Sequence, residues 1–160
     1  MPDITSIDDL QAKLQSLDYV AERGLATSIY LATRLRRPLF LEGEAGVGKT
    51  EVAKVLAELF DTELIRLQCY EGLDISHAVY EWNYTRQILH LRLLEARGER
   101  PTEEQLFDET FLLKRPLLRA IETTREKPPV LLIDEVDRSD EEFEAYLLSL
   151  IHISEPTRPY

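Results

Sequence analysis

Gly43-Glu-Ala-Gly-Val-Gly-Lys-Thr50 is the stretch whose reading decides the fold. It satisfies the pattern G-x-x-x-x-G-K-[ST] in full, with the short apolar strand Pro38-Leu-Phe-Leu-Glu42 expected before it and a helix expected after it. A loop that wraps a triphosphate turns its backbone N–H groups inward through dihedrals that favour glycine. Three of the chain's six glycines lie between Gly43 and Gly48. The helix that follows adds the positive end of its dipole under the phosphates. Lys49 offers a fixed charge for β and γ phosphate oxygens, and the Thr50 hydroxyl can ligate Mg²⁺. The expected nucleotide contacts are therefore Gly43, Glu44, Ala45, Gly46, Val47, Gly48, Lys49, Thr50 and Glu51. A dinucleotide fingerprint is excluded, because no glycine follows Gly46-Val-Gly48 at the third fingerprint position.

A second acidic motif, Val130-Leu-Leu-Ile-Asp134-Glu135, puts two carboxylates at the end of an apolar strand. In a parallel sheet, ligands gather beyond the carboxyl ends of the strands, so this end shares a rim with the phosphate loop. Asp134 is the expected Mg²⁺ partner, through the water shell that this ion retains. Glu135 is the expected catalytic residue, placed to polarise a water for attack on the γ-phosphate. Alone, the motif also fits a strand ending in a solvated acidic turn; the complete loop upstream decides for the functional reading. A kinase needs no water-activating carboxylate, because its substrate brings the nucleophile. The pair favours hydrolysis.

With 160 residues, the chain has room for one domain. An apolar share of 44% and a charged share of 31% fit a soluble globular protein. Thirty acidic against 19 basic residues give a net charge of −11, which disfavours free-standing nucleic-acid binding. The lone Cys69 forbids an internal disulfide and fits a reducing compartment. The longest aliphatic run, Val130-Leu-Leu-Ile133, is far short of the ~20 residues of a membrane span, and the acidic N-terminus has no secretory character. A cytoplasmic location without membrane insertion is expected.

Along the chain, periodicity predicts helices over 6–17 (Ser6 and Asp9 as a capping pair; Leu10, Leu14 and Leu17 inward) and 20–36 (Leu25, Ile29 and Leu35 inward). Further helices are expected over 49–60, 86–97 and 116–124, and a last one runs from a capping box at Ser139 and Glu142 to about residue 151. Strands are expected over 63–69 and 130–134, residues 70–83 are read as irregular, 98–105 as a polar linker, and 107–112 stay open between helix and strand. Strands alternating with helices predict an α/β layered fold with a parallel sheet. Tyr80, Trp82 and Tyr84, at a spacing of two, suit either a client- or subunit-contacting face or a hairpin packed on its own core. His77 and His90 are read as ordinary polar positions.

These residues resemble an AAA+ ATPase, more narrowly the MoxR family. Its loop stands as Leu41-Glu-Gly-Glu-Ala-Gly-Val-Gly-Lys-Thr50 and its acidic strand and turn as Leu132-Ile-Asp-Glu-Val-Asp-Arg138, with Arg115-Pro-Leu-Leu118 preceding. Gln68-Cys-Tyr-Glu-Gly-Leu-Asp74 and Tyr80-Glu-Trp-Asn-Tyr84 are similar to the CoxD-like branch, associated with maturation of molybdenum-containing carbon monoxide dehydrogenase. The resemblance implies a P-loop NTPase three-layer fold with ATP and Mg²⁺ as ligands. It further implies a hexameric ring remodelling a metalloenzyme client, often with a von Willebrand A-domain partner. The alternatives are a nucleic-acid-directed AAA+ NTPase, which the charge argues against, and an inactive nucleotide-binding fragment.

Against that family pattern, residues 1–18 are expected as an N-terminal helix, 19–152 as a partial nucleotide-binding domain lacking the sensor strand, arginine finger and helical lid, and 153–160 as a non-native tail. Arg158 is accordingly not taken as the finger. With no sensor strand to bridge Leu39-Phe-Leu41 and Val130-Leu-Leu-Ile133, buried backbone groups would go unpaired at ~1–3 kcal/mol each, and this polypeptide is expected to be unstable or molten with little turnover.

Overall fold

The computed structural model describes residues 4–44, 46–99, 102–122 and 127–153. Helix α1 (Ile7–Ser16) starts where the Ser6 hydroxyl accepts the Asp9 N–H at 3.1 Å; the Asp9 carboxylate reaches back to the Thr5 N–H at 2.9 Å rather than to Ser6. Helix α2 (Arg23–Leu35) buries Ala26 and Ile29, and α3 (Lys49–Leu59) buries Val52 and Val55. These three helices form one apolar cluster around Leu10, Leu14, Ile29, Val52 and Val55. Leu35, expected inward, is exposed: six residues beyond Ile29, it lies roughly 240° around the helix from the buried stripe.

Strand β1 (Leu64–Gln68) leads through α4 (Ile75–Val79), β2 (Tyr80–Trp82), α5 (Tyr84–Ala96), α6 (Glu103–Leu106), β3 (Leu112–Lys114) and α7 (Pro116–Ile121) to β4 (Val130–Asp134) and α8 (Glu141–Ile153). Strands β1 and β4 pair in parallel, Leu64 opposite Val130 and Gln68 opposite Asp134. The ladder extends at both ends, from the Val130 N–H to the Glu63 carbonyl and from the Cys69 N–H to the Asp134 carbonyl, each at 2.9 Å. Period-two alternation sends Ile65 and Leu67 with Leu131 and Ile133 to one face of this pair and Arg66 and Gln68 with Leu132 and Asp134 to the other. Leu67, Leu131 and Ile133 join Leu117 of α7 and Phe143 and Leu147 of α8 in a second cluster. Helix α3 packs along β4. This is the expected α/β arrangement with a parallel sheet, its two strands joined through a crossover that itself carries helices.

Local readings differ in places. Residues 38–42 enter neither sheet; Leu39 and Leu41 rest on the first cluster while Phe40 is 76% exposed. A strand forms only where a neighbour supplies its ladder, and among the described residues β4 pairs with β1 alone. Residues 70–83, read as irregular, hold α4 and β2, the latter closing an antiparallel pair with β3 (Tyr80 opposite Lys114, Trp82 opposite Leu112). Tyr80 and Trp82 share a face, their rings edge-on at 6.4 Å, whereas Tyr84 has left it by opening α5. The expected linker over 98–105 includes the start of α6, and a 3₁₀ turn (Glu109–Phe111) followed by β3 settles the open stretch over 107–112. Ser139 does not cap α8: its hydroxyl donates to the Val136 carbonyl at 2.6 Å, and the Asp140 carbonyl accepts the N–H groups of Phe143 and Glu144. Helix α7 stops at Ile121, with Glu122 extended, short of the expected end at 124, and Ile153, expected as the first residue of the tail, closes α8; residues 123–124 and the rest of the expected tail lie outside the described residues.

Candidate functional site

The loop before α3 uses its glycines as the sequence requires. Gly43, Gly46 and Gly48 have φ of +155°, +85° and +87°, so the backbone repeatedly visits a region that L side chains avoid. Gly48, in the left-handed conformation, is the residue from which α3 starts. Among the predicted nucleotide contacts, Glu44, Gly46 and Val47 line an exposed rim, and Gly48, Lys49 and Thr50 are half-buried. Ala45 lies outside the described residues. The Lys49 ammonium donates to the Gly43 carbonyl at 2.5 Å and to the Glu44 carbonyl at 2.7 Å, which holds it over the mouth of the loop. Glu51 instead faces along the helix, ion-paired with Lys54 at 2.7 Å.

The tip of β4 meets this loop. Thr50 Oγ1 donates to Asp134 Oδ2 at 3.4 Å, a long contact between residues 84 apart in sequence. The same oxygen accepts Arg66 Nη2 at 2.7 Å. Next along, Glu135 Oε2 accepts Gln68 Nε2 at 3.3 Å and lies 3.2 Å from Arg138 Nη1. Glu135 itself sits in the left-handed region, φ 56° and ψ 40°, an uncommon place for a residue with a Cβ. This turns the chain sharply from strand into a 3₁₀ turn (Val136–Arg138) and aims the carboxylate back over the tip of β1. Backbone strain of this kind collects at functional sites.

Two cations, Arg66 and Arg138, thus lie against the two carboxylates in a chain of net charge −11, while Lys49 is held by loop carbonyls. Beneath them Cys69 is fully buried; burial first, then the negative charges of Asp134, Asp137, Glu135 and Glu144, pushes its thiol above the ordinary value. It is a protonated packing residue rather than a nucleophile.

Among the described residues no group of three or more His, Cys, Asp or Glu converges as a metal cluster. What the site offers is one hydroxyl and one carboxylate, Thr50 and Asp134, on a common oxygen-lined edge. That set suits Mg²⁺, which takes few protein oxygens and leaves its remaining positions to water and phosphate. His77 pairs through Nδ1 with Asp74 at 2.9 Å, and His90 lies against the Phe111 ring.

The structure brings together the loop, Thr50, Asp134 and Glu135 and leaves Glu51 aside. Arg66 and Gln68 are the members that sequence reading passed over. Their signal was present: in a strand whose odd positions are apolar, Arg66 and Gln68 occupy the other face, and parallel pairing with residues 130–134 carries that face to the acidic tip.

A family model described as AAA domain, dynein-related subfamily, matches residues 38–156. No solved structure matches the chain.

Proposed function

From the membership of this chain in the AAA domain family, in its dynein-related subfamily, we infer that the loop and the β4 tip together bind ATP and direct its hydrolysis. In this reading the backbone N–H groups of residues 43–50 and the N-terminus of α3 receive the phosphates. Lys49 exchanges its two loop carbonyls for β and γ phosphate oxygens. Thr50 and Asp134 hold Mg²⁺, which when bound offsets charge on the β and γ phosphates. Glu135 accepts a proton from the attacking water, and Gln68 and Arg138 fix the direction of its carboxylate. The observation that carries the reading is the approach of Thr50 to Asp134 at the mouth of a loop whose glycines all have positive φ.

The test is a matched pair of substitutions, read by titration with a fluorescent ATP analogue and by phosphate release. Lys49→Ala should abolish saturable binding. Glu135→Gln should keep binding and cut hydrolysis by about 10²-fold or more, the range typical of a lost general base. Binding that survives Lys49→Ala would refute the loop assignment, and unchanged turnover in Glu135→Gln would remove Glu135 from its role.

AAA proteins typically assemble as oligomeric rings. The finer reading is a MoxR-type remodelling chaperone in the cytoplasm, a hexamer that works with a von Willebrand A-domain partner on a molybdenum enzyme. It is supported by the resemblance of residues 68–74 and 80–84 to the CoxD-like branch, and by the half-exposed aromatic face of Tyr80 and Trp82. Glu135→Gln, expected to trap ATP, should retain a purified A-domain partner in a nucleotide-dependent manner. Retention in no nucleotide state would sink this finer reading and leave the ATPase intact. No helix among the described residues is long and apolar enough to cross a membrane.

A further inference from the structure

Arg66 lies in the middle of β1, opposite Leu132, two residues short of the carboxylate it contacts. Its side chain reaches forward along the sheet, and Nη2 donates to Asp134 Oδ2 at 2.7 Å. That oxygen is also the one turned toward the Thr50 hydroxyl, and in the ATP reading Thr50 and Asp134 are the residues that would hold Mg²⁺. A guanidinium at hydrogen-bond distance fills one acceptor direction of the oxygen, and its positive charge opposes a second cation beside it. The partners differ in exposure, 50% for the Arg66 side chain against 21% for Asp134. The arginine is therefore the member that can turn into water, on a long stem that needs no backbone movement.

We propose that Arg66 is a resident countercharge for Asp134 that Mg²⁺ must displace, so that this one residue sets the metal affinity of the site. The inference rests on the ATP reading above. In the metal-free protein, Arg66 offsets the carboxylate charge and keeps Oδ2 turned toward Thr50. On metal uptake it withdraws to solvent, and the cost of parting the pair is subtracted from metal binding. Arginine suits the position because its planar fork holds a carboxylate in a fixed direction, whereas lysine is a compact and strongly hydrated charge.

Mn²⁺ is the probe, titrated by electron paramagnetic resonance into the 160-residue chain held in excess over a non-hydrolysable ATP analogue, so that no turnover enters the readout. Arg66→Gln should tighten Mn²⁺ binding by about 2–5-fold, the range to which the worth of a partly exposed ion pair converts. Arg66→Lys should fall between Arg66→Gln and the unaltered chain. Asp134→Asn should weaken Mn²⁺ binding by about tenfold or more. Unchanged or weaker Mn²⁺ binding in Arg66→Gln, beside a weakened Asp134→Asn, overturns the role of Arg66 and leaves the ATP reading standing. An Asp134→Asn variant that binds Mn²⁺ as before removes Asp134 from the metal, and the proposal falls with it. Should Arg66→Gln lose its fold by circular dichroism, Arg66→Lys decides: affinity equal to the unaltered chain overturns the proposal.

Discussion

Glu135 combines a side chain proposed to be catalytic with an unfavourable backbone, and the two can be separated. Its left-handed φ of 56° costs a residue with a Cβ about 1–2 kcal/mol that glycine avoids. Glu135→Gly should therefore hold or raise stability toward urea by up to about 1 kcal/mol while losing hydrolysis, whereas Glu135→Gln should lose hydrolysis with little change in stability. Gly48 is the mirror case. A Cβ there would meet nothing within 4 Å, so Gly48→Ala is opposed by its φ of +87° and not by crowding. It should cost about 1–2 kcal/mol in a denaturant melt and weaken nucleotide binding as the loop relaxes. Asp74 contributes a pH dependence of its own. The Ser76 hydroxyl first, then the His77 N–H and ring, hold its carboxyl down at about 2, against an ordinary 3.8. A carboxyl lowered on folding stabilises the fold above 3.8 and stops doing so as pH falls through about 2. A carbon-13 carboxyl titration should place its midpoint near 2, and Ser76→Ala should move that midpoint upward. At this scale the glycines were readable in advance, because their need is local. The Arg66–Asp134 contact was not, because it depends on which strand becomes the neighbour of β4.

The same division between local and distant causes runs through the elements. The start of α1 was legible because Ser6 and Asp9 are three residues apart and their N–H acceptor geometry needs nothing else. Ser6→Ala should lower stability by about 1 kcal/mol, and Leu14→Ala, which opens a cavity in the first cluster, by about 2–5 kcal/mol, both read from urea melts. Ser139 has the same local signature and a different outcome, because the tight turn through Val136–Arg138 takes its hydroxyl for the Val136 carbonyl. Ser139→Ala should thus leave the helicity of α8 unchanged. The β2–β3 pair was hidden for another reason: its strands are three residues each and lie more than two dozen residues apart, so neither carries enough alternation to be read alone. Residues 38–42 have a strand's alternation without a strand's partner, which no local pattern can supply.

In the molecule as a whole, two apolar clusters meet along α3 and β4, and the proposed nucleotide site sits where they join. A ligand there bridges the first cluster, which holds α3, to the second, which holds β4. ATP at about 100 times its Kd should stabilise the chain by about 2.7 kcal/mol, a rise in Tm of roughly 5–10 °C for a chain of this size, in a scanning melt. Lys49→Ala should erase that rise. One consequence lies in the aromatic residues. The chain has a single indole, Trp82, in the β2–β3 pair and edge-on to Phe107 at 5.5 Å. When it is excited at a wavelength that spares the seven tyrosines, its emission is thus a built-in reporter on that antiparallel pair. Superposing an emission-detected melt on one followed by backbone ellipticity asks whether the antiparallel pair and the helices come apart in one step or two, with no dye or label attached.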